Sequence, residues 1–173
     1  MKTLIFFIII ITKTFAVYGQ DTLCYEKIAF SFFVSHIVKE NYENNITFSV
    51  KRDISSEISS HLYTSCFQDY YIKYQNISDA EKNSIRNKIT EIRKQNQKFN
   101  CDLSQNSRFV LSDKSKITKK NKYISINQAE MYLTNLVFVE LIVFDKSFEN
   151  HFFVEIDLKT NEVSRYCKKT ISY

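Results

Sequence analysis

The stretch NLVFVELIVFD, residues 135–145, followed by HFFVEIDL at 151–158, decides the fold. Both runs read as β-strands, and their apolar residues can be matched across a hairpin. With the turn placed over residues 145–150, position 140 opposes 155 and position 144 opposes 151. One face then sets Val137, Val139, Leu141 and Val143 against Leu158, Ile156, Val154 and Phe152. That face is wholly apolar. A slip by one residue would mix it, because successive side chains point to opposite faces of a sheet. The pattern therefore fixes the parity of the pairing, though not its exact register.

The second face carries Phe138, Glu140, Ile142, Phe144, His151, Phe153, Glu155 and Asp157. A turn at Thr160–Asn161 brings a third strand, VSRYCKKTIS (163–172), alongside. It predicts Tyr166 and Lys168 on this second face, beside Glu155 and Phe153. Glu140 interrupts an otherwise continuous apolar run and lies opposite or diagonal to Glu155, where like charges are unfavourable. Three readings compete. The face is an ordinary outer surface, with Glu140 in water and Lys168 offsetting Glu155. Or the sheet curls around a pocket, where crowding and desolvation raise one carboxylate into general acid–base range and His151 and Tyr166 complete the polar set. Or aromatics beside charges form a protein-binding surface. Glu140, Glu155, His151 and Tyr166 are the candidate catalytic residues. What separates the readings is whether the carboxylates converge in a concave, partly dry site or point into water.

Towards the N-terminus the period changes. LCYEKIAFSFFVSHIVKENY (23–42) has helical spacing, with Ile28, Phe32 and His36 in one row and Phe33 and Ile37 widening it. ITFSVKR (46–52) alternates as a half-buried strand should. From Ser55 a second helix aligns Ile58, Leu62 and Cys66, with Tyr63, Phe67, Tyr70, Tyr71 and Tyr74 as an aromatic face. A third begins at Ser78, which with Glu81 forms a capping box, and continues with the stripe Ile85, Ile89, Ile92. RFVLS (108–112) and YISINQAEMYL (123–133) read as β-structure around DKSKITKKNK (113–122), a solvated connection with five lysines. No repeat or linker appears. The expected fold is α+β: an N-terminal helix, one short strand, two further helices, then a C-terminal antiparallel β-meander packed on the helices.

The first 19 residues, MKTLIFFIIIITKTFAVYG, have a positive start, an apolar run from Leu4 to Ile11 and small residues at Val17 and Gly19. That is the layout of a secretory signal. Lys13 cuts the run short of the roughly 20 apolar residues that span a bilayer. Cys24 follows Asp21, Thr22 and Leu23, which is no lipidation site. The expectation is a cleaved leader at 1–19 and a single α+β domain at 20–173, with no membrane association after cleavage. Loss of Lys2 and Lys13 takes the net charge from +5 to +3, too mild to indicate nucleic acid. Gly19 is the only glycine and there is no proline, so Asn, Asp, Ser and Lys must supply the turns of the mature chain. An Asn-rich chain also contains Asn45-Ile46-Thr47 and Asn76-Ile77-Ser78, which match the glycosylation acceptor pattern.

Cys24, Cys66, Cys101 and Cys167 allow two disulfides in three pairings. A straight hairpin of helices two and three places Cys66 some 13 residues short of Cys101 in register, which disfavours that pair at about 1.5 Å per residue. No cysteine–histidine spacing suits a metal, and no cofactor is expected. His36 and His61 are core or boundary residues in this reading. There is no nucleophile motif, and a mature chain without glycine cannot build a Gly-rich phosphate cradle.

The leader ending YGQ (18–20), SDAEKNSIRNKITEIRK (78–94), NCDLS (100–104), FVLSDK (109–114) and YISINQAEMY (123–132) together resemble small secreted proteins of Bacteroidota. The resemblance implies export and an α+β plan, and it transfers no active site. The expected function is that of a secreted or periplasmic, non-catalytic binding protein of unknown partner, another exported protein being one option. The alternative is a small hydrolase or ligand-binding protein using a Glu140/Glu155 pocket. A further option is polyanion or lipid binding through Lys114 to Lys122.

Overall fold

The computed structural model describes residues 24–55, 66–95, 98–99, 103 and 106–173. The leader, Cys101, and the helical readings at Ile58, His61, Leu62 and Tyr63 lie outside the described residues. The chain is α+β, as its periodicity implies, with a seven-stranded mixed sheet mostly in its C-terminal half. Helix α1 (Tyr25–Phe32) runs through a π-helical segment (Phe33–Ile37) into α2 (Val38–Asn41), so one rod fills most of the predicted 23–42. Ala29, Phe30, Phe33, Ile37 and Val38 recur at helical spacing, and all are buried. The rod ends where Tyr42 adopts extended backbone. His36 is exposed and stacks on Phe32 at 4.6 Å between centroids.

The strands are β1 (Thr47–Val50), β2 (Phe109–Leu111), β3 (Asn121–Ile126), β4 (Glu130–Leu133), β5 (Leu136–Phe144), β6 (Phe148–Asp157) and β7 (Glu162–Ser172). Their order is β2-β1-β3-β5-β6-β7, with β4 also paired to β5. The sheet is not a pure antiparallel meander: β1 lies inside it, parallel to both β2 and β3. Phe48, Ser49 and Val50 are therefore all buried, where the alternation of 46–52 suggests a half-exposed strand. Strands in parallel neighbourhoods are covered on both faces.

The β5–β6 hairpin has the predicted parity. Val137 pairs with Ile156, Val139 with Val154 and Leu141 with Phe152 on the apolar inner face. The register differs from the expected one by two residues, because the turn is tighter. The Asp145 N–H donates to the Phe148 carbonyl (2.8 Å), so β6 starts at Phe148 and Glu140 pairs with Phe153. Asn161 supplies the next turn with φ 57°, the left-handed conformation that Asn accepts readily in a chain short of glycine.

Register shifts interrupt the ladders and decide which side chains share a face. Between β3 and β4 the register against β5 shifts by one, with Gln128 and Ala129 at the irregularity, and it shifts again between Glu130 and Leu133. The backbone groups of Ala129 are satisfied by other elements. The Ala129 N–H donates to the Glu26 carboxylate of α1 (2.8 Å), and Arg93 donates to the Ala129 carbonyl (3.0 Å). A further shift lies in β7. Ile156 pairs with Val163 but Glu155 pairs with Arg165, so Ser164 is an extra residue. One inserted residue reverses every later side chain. Tyr166 and Lys168, expected beside Glu155, instead oppose Val154 and Phe152 on the inner face. Arg165 and Cys167 take the outer one.

Helices α3 (Gln68–Asn76) and α4 (Asp79–Gln95) lie between β1 and β2 in the chain. In α4 the Glu81 N–H donates to Ser78 Oγ (3.2 Å), the predicted N-cap, and Ile85 and Ile89 are buried in the main core. The 66–76 segment serves the opposite side of the sheet. Phe67 and Tyr70 pack on Phe138, and Cys66 is disulfide-bonded to Cys167. Not every helix covers the inner face, because Leu136, Phe138 and Phe153 make the outer face apolar enough to need its own cover.

Candidate functional site

The outer face of β5, β6 and β7 carries three of the four residues singled out by sequence. Glu140, His151 and Glu155 are buried, at 1%, 2% and 3% exposure, so this is not a water-facing surface. Each carboxylate has its own partners. Glu140 Oε1 lies 2.6 Å from His151 Nδ1, and its Oε2 accepts from Asn127 Nδ2 at 2.5 Å. Asn127 is placed there by the β3–β5 register, in which its N–H donates to the Glu140 carbonyl (2.9 Å). Two residues from His151 along β6, Glu149 places Oε1 3.0 Å from Nε2, close enough for ion pairing but off the line of a well-aligned hydrogen bond. Glu149 Oε2 accepts from the Tyr173 hydroxyl (2.6 Å).

His151 is thus held between two carboxylates. Burial opposes its charge, but the close contacts and charges of Glu140 and Glu149 outweigh that, and the imidazole titrates above its ordinary 6.5. Burial likewise pushes Glu149 up, yet the Tyr173 hydrogen bond and the close, charged His151 hold it below its ordinary 4.5. The imidazolium form leaves neither ring nitrogen with a lone pair for proton abstraction.

Glu155 forms a second, separate network. Ser164, the bulge residue, donates to Oε1, and Arg165 Nε donates to Oε2 at 2.8 Å. The guanidinium lies 4.7 Å from the Phe67 ring centroid and 4.6 Å from that of Tyr70, so α3 roofs the pair. The Tyr70 hydroxyl is raised above 10 by burial, then by the charge of Glu155. Tyr166 belongs to neither network. On the inner face it donates to Glu40 Oε2 (2.9 Å), and that bond raises its own titration. Glu140 and His151 come together, Glu155 stands one pair along among other partners, and Tyr166 is excluded. Asn127, Glu149, Ser164 and Arg165 complete these networks. Asn127, Ser164 and Arg165 lie within segments that read as β-structure and Glu149 in the expected turn, and nothing in their spacing singles them out.

A different site lies on the inner face. Among the described residues no helix covers the end of the sheet beyond Asn41, and a cleft of about 550 Å³ opens there. Ile46, Lys122, Asp145, Phe148 and Asn150 line it from the strands and the hairpin turn. Lys168, Thr170 and Ser172 of β7 form one wall, with Asn41, Tyr42 and Glu43 of the helix end and Lys119 forming the rest. None of Glu140, Glu155, His151 and Tyr166 lines it. Lys122 is 7% exposed and ion-paired with Asp145. Asn150 donates to the Tyr42 hydroxyl (3.3 Å) and accepts from Thr170 (2.7 Å). Burial, the largest influence, pushes the Tyr42 hydroxyl up to about 12. The sequence reading missed this cleft: Asn150 falls in the expected turn, and Thr170 and Ser172 reach the inner face only through the register shift in β7. Among the described residues, no group of three or more His, Cys, Asp and Glu side chains could hold a metal ion.

Against protein-family models, curated proteins and solved structures, the chain finds no match.

Proposed function

We propose that the chain is an exported binding protein whose outer-face carboxylates serve the fold, and whose ligand or partner engages it elsewhere. One observation carries this reading: Glu140 and Glu155 are buried and each is already committed, to His151 with Asn127 and to Arg165 with Ser164. A general acid or base needs a proton-accepting or proton-donating atom within reach of substrate. Here those atoms face one another. Export is supported by the leader layout and by the Cys66–Cys167 disulfide, a bond that persists in oxidising compartments.

The test is affinity capture on the mature, oxidised protein from the secreted fraction of its own culture, paired with hydrolase assays on ester, peptide and glycoside substrates. The expected result is a stoichiometric retained species that also binds Glu140→Gln, with no turnover of any substrate. Turnover that disappears in Glu140→Gln at unchanged fold would contradict the proposal and restore the hydrolase reading.

A further inference from the structure

The cleft at the uncovered end of the inner face has a charge pattern that specifies its occupant. Of its charged residues, Lys122 and Asp145 satisfy each other. Lys168 Nζ, poised 5.7 Å from the Phe152 ring centroid, donates to the neutral Asn41 Oδ1 at 2.9 Å and makes no ion pair among the described residues. Lys119 is exposed and makes no ion pair among the described residues either. Two ammonium groups therefore face one carboxylate of the lining, Glu43, and the balance favours an anion.

The lysine-rich connection before β3 supplies this charge from a fixed position. Thr118 Oγ1 accepts from the Lys120 and Asn121 N–H groups (3.2 and 2.9 Å), and Asn121 Nδ2 donates to the Lys116 carbonyl (2.5 Å). Thr47 Oγ1 of β1 donates to Asn121 Oδ1 at 3.0 Å. The segment that reads from sequence as a solvated connection is tied to the sheet, and it holds Lys119 at the rim of the cleft.

The rest of the lining is chemically mixed. Ile46, Phe148 and the Tyr42 ring offer apolar surface, while Thr170, Ser172 and Asn41 offer hydrogen bonds beside Lys168. The volume falls within the range of about 300–1,000 Å³ usual for small-molecule sites. We propose that this cleft binds a small organic anion, its carboxylate or phosphate head between Lys119 and Lys168 and its apolar body on Tyr42, Ile46 and Phe148. The assignment deepens the reading of the chain as a binding protein and rests on it.

The test is an NMR titration of the intact, disulfide-bonded chain with hexanoate, hexyl phosphate and hexylammonium at millimolar concentration. Saturable amide shifts at Tyr42, Phe148 and Asn150 are expected with at least one of the two anions, and whichever binds tighter identifies the head group. Lys119→Gln, remote from the core, should weaken that binding several-fold, and Lys119→Gln/Lys168→Gln about tenfold. Absence of saturable shifts with both anions, equal binding of hexylammonium, or affinity unchanged in both variants would overturn the proposal. These failures are distinct from failure of the broader reading. A captured partner that binds a chain inert to every probe would remove the anion and leave the binding protein. Turnover dependent on Glu140 would do the reverse.

Discussion

At the scale of the residue, Glu140 sets the terms. A carboxylate on a sheet face at 1% exposure is tolerable only when its charge is matched, and His151 matches it at 2.6 Å. His151→Ala leaves that carboxylate uncompensated and is expected to cost about 3–5 kcal/mol in denaturant unfolding. The pH dependence comes from the two shifted groups. The folded value of His151 is raised above 6.5, so its stabilisation is complete below 6.5 and is lost as pH rises through that raised value. The folded value of Glu149 is depressed below 4.5, so its share is complete above 4.5 and is lost as pH falls through the depressed value. The cluster should therefore stabilise most between 4.5 and 6.5. Melting curves should show a decline above that window in wild type, and His151→Gln should abolish the decline.

At the scale of the element, the Cys66–Cys167 bond fastens the start of α3 to the edge strand β7 across a sequence separation of 101 residues. Cys66→Ala/Cys167→Ala should lose about 2–4 kcal/mol, measured by chemical unfolding. Peptide mapping without reduction should find 66 joined to 167. Phe138→Ala, which removes the ring that Phe67 and Tyr70 share, should cost about 3–5 kcal/mol and loosen α3 in hydrogen exchange before the rest of the fold. Legibility also divides at this scale. The Ser78 cap, the Ile85 and Ile89 stripe and the hairpin parity were readable, because each rests on local spacing. The faces of Tyr166 and Lys168 were not, since the single residue Ser164 reverses them and nothing in VSRYCKK marks a bulge. The parallel partners of β1 were equally hidden: alternation in ITFSV states which residues are buried and says nothing about which strands lie alongside. Burial of Glu140 depends on long-range packing that the sequence around 140 does not encode.

At the scale of the molecule, the sheet separates two kinds of polar site. On the outer face Glu140, His151 and Glu155 are dry and paired with neighbouring polar side chains; at the open end of the inner face polar groups line a cleft with ammonium groups to spare. Among the described residues no helix is long and apolar enough to cross a membrane. The cleft exists because the first helical rod stops at Asn41 while β6 and β7 continue to Phe148 and Ser172. Shielding should therefore act selectively: raising salt should weaken anion binding at the cleft and leave the buried His151 cluster almost unchanged, as two-dimensional NMR can read residue by residue. The central claim is that the outer-face carboxylates hold the fold together and do no chemistry. The imidazole of His151, followed by NMR through a pH titration, tests it most directly. The account expects a single transition above 6.5 that moves down in Glu140→Gln and is indifferent to added small molecules. A transition at or below 6.5 that responds to a small-molecule substrate would show an available base and contradict the account.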